Sequence, residues 1–212
     1  MEQPSFWQVL LAMMGKHSDR PTAEPVPLVA PLVTAKPPVS LTSKQRIAAA
    51  CAAACVVAVP LTTSFEGLVL HPYRDPAHIL TWCIGETQGK PELVYTKSQC
   101  GEMLRTRMRR DYAPQVIACV PGLVAPERRY VFAALIDASY NAGAKAVCRS
   151  PMAIHARAER WEAACNSFSG WYTTAKDRRT GKRIYFAGLQ RRRLAERKIC
   201  LMPVDMRTSP NV

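Results

Sequence analysis

The first 43 residues carry a pattern that is unlike that of a globular domain. Residues 6–14 form a short apolar stretch that suits one amphipathic helix. Six prolines then lie between positions 21 and 38, where they deprive helices and sheets of backbone donors. We therefore predict an extended, semi-rigid tail over residues 1–43.

An uncharged, alanine-rich run, IAAACAAACVVAV, occupies residues 47–59. Lys44 and Arg46 precede it and Pro60 follows it, so the pattern predicts a helix over residues 44–61 that Pro60 closes. A robust spanning helix needs about 20 apolar residues, so this one would be a weak membrane anchor. A buried helix of a soluble domain is the alternative, and a cleavable signal is a third reading that the proline at position 60 disfavours.

Residues 62–205 have the pattern of a folded domain, and residues 206–212 that of a short tail. Glycines and β-favouring residues alternate between positions 66 and 89, which predicts a small hairpin. Helix start signals follow, among them a capping box at Thr96–Gln99 and the Ser150–Pro151 pair. The predicted helices cover residues 97–110, 126–142, 150–168 and 188–201.

The chain is basic, with 29 Lys and Arg against 16 Asp and Glu, a formal net charge of +13. Its 48% hydrophobic content is too high for a wholly disordered protein. The charge suits nucleic acid, an anionic membrane surface or an acidic wall polymer, and composition alone does not separate them. No interleaved aromatic and basic motif is present, so we expect no nucleic-acid partner. The run Arg191–Arg193 indicates either a solvated helix face or a weak, salt-screened electrostatic attraction to such a polymer or membrane.

Eight cysteines favour an oxidising compartment over a zinc site, because no CxxC pair occurs. The closest two, Cys51 and Cys55, have no histidine near them, and the four histidines lack metal-binding or triad spacing. We expect no metal and no cofactor. The six cysteines of the folded domain allow 15 disulfide connectivities, which the sequence leaves open.

Glu66, Asp75 and Thr81 are the candidate catalytic residues. Cleavage of a glycosidic bond needs one protonated carboxyl group to protonate the leaving oxygen, one ionised carboxylate, and a means of holding water. Asp75 follows Glu66 by nine positions and Thr81 follows Asp75 by six. Two carboxylates and a hydroxyl at this spacing are also compatible with a solvated surface.

The segment SFEGLVLHPYRDPAHILTWCIGET, residues 64–87, closely resembles the active-site segment of phage lysozymes of glycoside hydrolase family 24. Further matches are FAALIDASYNAG (132–143), WEAAC (161–165) and GLQRRRLAERKIC (188–200). With the apolar run just upstream, the chain resembles a signal-anchor-release endolysin. The resemblance implies an α+β, lysozyme-like fold with a small β-hairpin lobe and a larger helical lobe, preceded by a weak transmembrane anchor helix.

The resemblance also implies a function: a muramidase that hydrolyses the β-1,4 bond between N-acetylmuramic acid and N-acetylglucosamine of peptidoglycan during host lysis, with inversion. Glu66 would be the general acid, Asp75 would assist the water, and Thr81 would position it. Asn141 would contact the glycan, although a helix-ending role suits it equally. Glu86 departs from the pattern, since many relatives have histidine there; we expect it to pair with an arginine and assign it no catalytic role.

By the same resemblance the expected disulfides are Cys83–Cys100, Cys119–Cys148 and Cys165–Cys200. The expected partners are peptidoglycan and, through residues 47–59, the host inner membrane. The protein would be a monomer that is tethered with its catalytic domain in the periplasm and then released there. A catalytically inactive basic protein that binds wall or membrane is the alternative function. A lytic transglycosylase is disfavoured because Asp75 and Thr81 are both present.

Cys51 and Cys55 are candidate regulatory thiols, since they lie four residues apart on one helix face. In some relatives such a thiol leaves the membrane on release and exchanges with a disulfide that blocks the active site. Leu68 stands where those relatives have the cysteine that cages the catalytic glutamate, so a mechanical switch is an equal alternative. In that alternative, the membrane-held anchor keeps Glu66 away from its working position. Ordinary packing is the third reading of the two thiols.

Overall fold

A computed structural model describes residues 41–75, 78–176 and 181–203. The predicted tails lie outside these residues, apart from positions 41–43. The α-helices are α1 (Ser43–Glu66), α2 (Lys97–Arg107), α3 (Ala113–Cys119), α4 (Arg129–Ala142), α5 (Ala144–Cys148), α6 (Pro151–Arg157), α7 (Trp161–Asn166) and α8 (Ala187–Cys200). The strands are β1 (Val69–Arg74), β2 (Leu80–Cys83), β3 (Thr174–Lys176) and β4 (Arg183–Tyr185).

The small sheet that the sequence predicts is the antiparallel hairpin of β1 and β2, in which Tyr73 pairs with Thr81 and Val69 with Cys83. A bulge between Val69 and Tyr73 bends the first strand. The rest of the described chain is mainly helical, which agrees with the predicted α+β class. A second hairpin, β3 with β4, was not predicted, because three-residue strands leave too short an alternation to detect.

Helix α1 is the largest departure from the predicted element boundaries. It begins with the capping box of Thr42 and Gln45 and runs through Pro60 to Glu66, so the expectation that Pro60 closes it is wrong. Proline removes one backbone donor, but packing of the helix against α4 outweighs that loss. The predicted boundary between residues 61 and 62 consequently falls inside this helix.

One face of α1 is buried against the helical lobe, and its members are Cys51, Ala54, Cys55, Ala58 and Thr62. Small side chains there let the two helices approach closely. In this structure the apolar run therefore adopts the buried-helix arrangement that the sequence left as an alternative to the anchor. By length and composition, α1 is also able to cross a membrane.

Helix α4 is the centre of the fold, and its residues 131–139 are all buried. α1 and α8 both pack on it, which brings residues far apart in the chain together on one helix.

Two of the predicted helices are interrupted in the structure. Residues 97–110 divide into α2 and a π-helical turn, Met108–Tyr112, and residues 150–168 divide where Glu159 adopts a positive φ of 57°.

Three disulfides join the helical lobe: Cys83–Cys100, Cys119–Cys148 and Cys165–Cys200. They match the pairing that the resemblance implied. The first ties the hairpin to α2, and the third ties α7 to α8. Each should stabilise the fold by about 2–4 kcal/mol, chiefly by restricting the unfolded chain.

Candidate active site

Glu66 lies where α1 ends and meets the turn after the hairpin. Gly67, with φ of 75°, ends the helix, and Gly85, with φ of 73°, lies against the Glu66 side chain. A Cβ atom on Gly85 would be 3.7 Å from Glu66 Oε2 and 3.4 Å from the hydroxyl of Tyr140. These would be ordinary van der Waals contacts, so the positive φ at position 85 is the main reason for a glycine beside the carboxylate.

The turn that carries Gly85 is fixed by hydrogen bonds at both sides. The backbone N–H groups of Trp82 and Glu86 donate to each other's carbonyl oxygens at 3.0 and 2.9 Å. The hydroxyl of Tyr140, on α4, donates to the carbonyl of Ile84 at 2.5 Å. Burial raises the pKa of Tyr140, and the nearby charge of Glu66 adds to that, so the group remains a donor.

Arg192, on α8, joins Glu66 to the core. Its Nη1 lies 2.5 Å from Glu66 Oε1, while its Nε and Nη2 donate to the two oxygens of Asp137 at 3.0 and 2.9 Å. The side chains of Arg192 and Asp137 are 4% and 0% exposed, and that of Glu66 is 26% exposed. Burial opposes the charge of Arg192, but the two carboxylates outweigh it and raise the pKa. The guanidinium is thus a fixed positive charge beside Glu66.

Arg193 holds the predicted glycan-contact residue. Its Nη2 donates to Asn141 Oδ1 at 2.8 Å, and its guanidinium lies 5.1 Å from the centre of the Trp171 ring. Arg192 and Arg193 are buried and Arg191 is exposed, so the expectation of a solvated basic face is wrong for two of the three arginines. The acidic partners on α4 and α8 cause this, because they compensate the charge inside the fold.

Glu196 completes the buried charge cluster. Its Oε1 lies 2.8 Å from Arg193 Nη2 and 3.6 Å from Arg192 Nε. Burial raises the pKa of Glu196 well above its usual range, and the adjacent Asp137 raises it further. The two arginines oppose this shift without cancelling it. Burial in the cluster therefore favours the protonated form of Glu196.

Asp75 and Thr81 lie on the hairpin. Asp75 Oδ1 accepts the N–H of Ile79 at 2.9 Å, and the two backbones pair through the Asp75 N–H to the Ile79 carbonyl at 3.0 Å. Thr81, 5% exposed, donates to the Ile79 carbonyl at 3.1 Å. Because Tyr73 pairs with Thr81, the alternation of side chains places Asp75 and Thr81 on the same face of the hairpin.

Glu86 pairs with an arginine, as expected. Its Oε2 lies 3.1 Å from Arg107 Nε, and its Oε1 accepts the backbone N–H groups of Thr87 and Gln88, both at 2.8 Å. Arg107 also contacts Asp111, one turn along the helix. These bonds brace the far side of the turn that carries Gly85.

Cys51 and Cys55 carry free thiols and are buried between α1 and the lobe, while Cys83 is bonded to Cys100. Their regulatory role stays a prediction. Among residues 41–75, 78–176 and 181–203, no three His, Cys, Asp or Glu side chains are arranged to hold a metal ion.

Sequence reasoning missed the buried partners of Glu66 and Asn141. One signal was available: Glu196 follows Arg192 by four positions and Arg193 by three, a spacing that puts the three on one helix face. Asp137 is the lone charge in the apolar run of α4, which marks a carboxylate that needs a buried partner.

Comparisons with known proteins agree with this architecture. The Phage lysozyme family profile matches residues 63–196. The muramidase domain of SpmX from Asticaccaulis excentricus is 25% identical and superimposes with a TM-score of 0.60, over 69% of this chain and 95% of that one. No curated protein matches the sequence significantly.

Two phage proteins show the same fold at lower identity. The endolysin from Escherichia coli O157:H7 phage FAHEc1 is 24% identical, with a TM-score of 0.54, over 68% of this chain and 90% of that one. The active form of P1 phage endolysin Lyz is 23% identical, with a TM-score of 0.56, over 73% of this chain and 93% of that one. The predicted lysozyme-like fold is thereby confirmed. The match over most of the folded domain shows that the chain belongs to the phage lysozyme family and is a lysozyme-type peptidoglycan hydrolase.

Proposed function

We propose that the protein is a phage endolysin that cleaves the β-1,4 bond between N-acetylmuramic acid and N-acetylglucosamine with inversion. Glu66 is the general acid, Asp75 is the base, and Thr81 positions the water. The observation that supports the proposal is that Glu66 lies beside the buried Arg192 and against Gly85, in the turn that follows the hairpin carrying Asp75 and Thr81.

The chemistry assigned to the acid follows from its contacts. Glu66 has one oxygen on Arg192 and the other beside Gly85, where the partly exposed side chain can reach a leaving-group oxygen. Once Glu66 has delivered its proton, the guanidinium of Arg192 stabilises the carboxylate that forms. Arg192 therefore assists the step without itself exchanging a proton.

The hairpin supplies the other half of the reaction. The N–H of Ile79 orients the Asp75 carboxylate, and the Thr81 hydroxyl, which donates to the Ile79 carbonyl, keeps a lone pair to accept from water. A water held between them would attack the anomeric carbon from the face opposite Glu66 and give the inverted product. Asn141, fixed by Arg193, is the proposed glycan contact.

We further propose that α1 is first a membrane anchor, with the catalytic domain in the periplasm, and that release to the periplasm activates the enzyme. The 24 residues of α1 span about 36 Å at the α-helical rise, enough to cross a bilayer core of about 30 Å. Glu66 is the last residue of α1, so a bilayer-held helix would keep the general acid from Arg192 and Gly85. In this proposal, the burial of one α1 face against α4 corresponds to the released form.

The test is the loss of turbidity of purified peptidoglycan with wild type beside Glu66→Gln, each with and without reductant. Wild type should lyse the suspension, and Glu66→Gln should be at least about a thousandfold slower because it cannot donate a proton. Glu92→Gln, an exposed carboxylate, is the matched control. If Glu66→Gln lyses walls like wild type, a non-catalytic wall-binding or membrane-perturbing protein is the better description.

A further inference from the structure

Thr62 is the one member of the buried face of α1 whose side chain carries an oxygen; the others are Cys51, Ala54, Cys55 and Ala58. It is completely buried, and its hydroxyl donates to Asp137 Oδ1 on α4. A buried hydroxyl needs a partner, and here the partner is a buried carboxylate. The contact between α1 and α4 is therefore polar at this position and apolar along the rest of the buried face.

The bond of Thr62 continues through Asp137 to the general acid. Asp137 holds Arg192 by two hydrogen bonds, at 2.9 and 3.0 Å, and Arg192 holds Glu66. Thr62, Asp137, Arg192 and Glu66 thus form a continuous polar chain. Each link uses a charged group, and Thr62, Asp137 and Arg192 are buried while Glu66 is partly exposed. Hydrogen bonds to charged groups are stronger than those between neutral groups, most of all where water is excluded.

Helix α1 supplies both ends of this polar chain. Thr62 and Glu66 are four residues apart, so they lie on the same side of the helix, and the ring of Phe65 between them lies 5.5 Å from the Arg192 guanidinium. If the end of α1 is withdrawn, Asp137 loses its hydroxyl partner, and Arg192 loses both the carboxylate and the ring. Docking of α1 therefore completes the environment of Arg192 in a single step.

We propose that Thr62 is a positioning residue for catalysis: its bond to Asp137 fixes Arg192 and so sets the orientation of Glu66 when α1 docks. The proposal rests on the function proposed above, with Glu66 as general acid. It adds that docking of the last turns of α1 affects the site through the Thr62 hydroxyl, as well as through the burial of apolar surface.

Charged groups from one element, α8, face Asp137. Arg192 and Glu196 reach Asp137 directly, and Arg193 contacts Glu196 in turn. Burial raises the pKa of Glu196, so this group can hold the proton that relieves repulsion between the two carboxyl groups. Thr62 is the neutral donor from the opposite helix, and its removal leaves Asp137 dependent on α8 alone.

The first experiment compares the full-length Thr62→Val and Thr63→Val variants in lysis of purified peptidoglycan. Each change replaces a hydroxyl with a methyl group on α1, but the Thr63 hydroxyl donates to the Val59 carbonyl of its own helix, at 2.8 Å. Thr62→Val should lose about tenfold or more in kcat with KM changed by less than about twofold, because misplacement of the acid slows the chemical step. Thr63→Val should keep wild-type kcat.

Thr62→Ser keeps the hydroxyl and serves as the rescue variant. It should recover most of the kcat lost in Thr62→Val, even if the shorter side chain lowers the melting temperature. A valine variant that matches Thr63→Val in kcat would overturn the proposal, as would a serine variant that folds and is no faster than the valine variant. If Thr62→Val does not fold, the kcat of Thr62→Ser relative to Thr63→Val decides alone: near-equality supports the hydroxyl's role, and a tenfold deficit contradicts it.

The second experiment adds Thr62→Val to the Asp137→Asn background. Because Thr62 acts through its bond to Asp137, the two changes should not add: the double variant should lose less kcat than the product of the two single losses. Fully additive losses in kcat would contradict the proposal. Failure of the proposed function is distinguishable, because Glu66→Gln would then be as active as wild type.

Discussion

Arg192 Nη1 lies 2.5 Å from Glu66 Oε1, although 126 positions separate the two residues in the chain. The contact joins the last residue of α1 to the buried face of α8. Asp137, on α4, orients the arginine by accepting two hydrogen bonds from its guanidinium. The proposed general acid therefore depends on three helices that only the folded chain brings together.

Arg192→Lys should lower kcat about 10- to 100-fold, because a lysine ammonium cannot bond two carboxylates with the fixed fork of a guanidinium. The matched control is Arg191→Lys, at the exposed neighbouring position, which should behave as wild type. Kinetics of peptidoglycan lysis at saturating substrate measure the effect. Equal activity of the two variants would show that charge alone, without geometry, is sufficient beside Glu66.

Gly85→Ala should lower activity about tenfold or more, because relief of the strain at its φ of 73° would shift the turn that contacts Glu66 and Tyr140. The added Cβ would itself make ordinary contacts, 3.7 Å from Glu66 Oε2 and 3.4 Å from the Tyr140 hydroxyl. Gly89→Ala is the matched control: its φ is also positive, at 94°, but a Cβ there meets nothing within 4 Å. Both variants should lose about 1–2 kcal/mol of stability from the left-handed backbone. Thermal melts measure this shared loss, lysis rates measure the effect on the site, and equal activities would contradict the prediction.

Glu196→Gln should change how stability depends on pH. The pKa of Glu196 is raised in the folded state, so the folded protein binds the proton more tightly than the unfolded chain does. The free energy of unfolding therefore falls as pH rises from the ordinary carboxyl range through the raised value, by up to about 1.4 kcal/mol per pH unit. The neutral glutamine removes this contribution, so the variant should gain stability relative to wild type as pH rises above the ordinary carboxyl range.

Denaturant unfolding at pH 5, 7 and 9 measures the Glu196 effect. Glu102→Gln, on the exposed face of α2, is the control and should follow the wild-type slope. The prediction would be overturned if Glu196→Gln were destabilised equally at all three pH values.

The double variant Cys51→Ala, Cys55→Ala separates the two proposed modes of activation. Both thiols are buried and free. Alanine favours the helix and removes only the sulfur atoms. If release of α1 acts mechanically, as the α1–α4 packing favours, the released variant should lyse walls at the wild-type rate. A released variant that is inactive, yet is activated by an added thiol, would instead favour disulfide exchange. The rate of lysis after membrane release, measured with and without reductant, distinguishes these outcomes.

Local signals in the sequence were sufficient for several elements. The capping box at Thr96–Gln99 places the start of α2, and glycines with β-favouring residues predict the first hairpin. Local signals failed at Pro60, since proline weakens a helix only by a few kcal/mol and the packed face of α1 compensates for it. They failed again at Arg192 and Arg193, because the spacing to Glu196 puts the three side chains on one helix face but does not show that this face is buried.

The sequence by itself determined the first hairpin, most of the helices and the family resemblance, and it made Glu66, Asp75 and Thr81 the proposed catalytic residues. Only the tertiary structure decided where α1 ends and which groups surround Glu66. Thr62, Asp137 and Arg192 come from three helices, and they meet because α1 and α8 both pack on α4. A charged side chain enters the interior when its partners are already there to compensate it, and that condition is a property of the assembled fold.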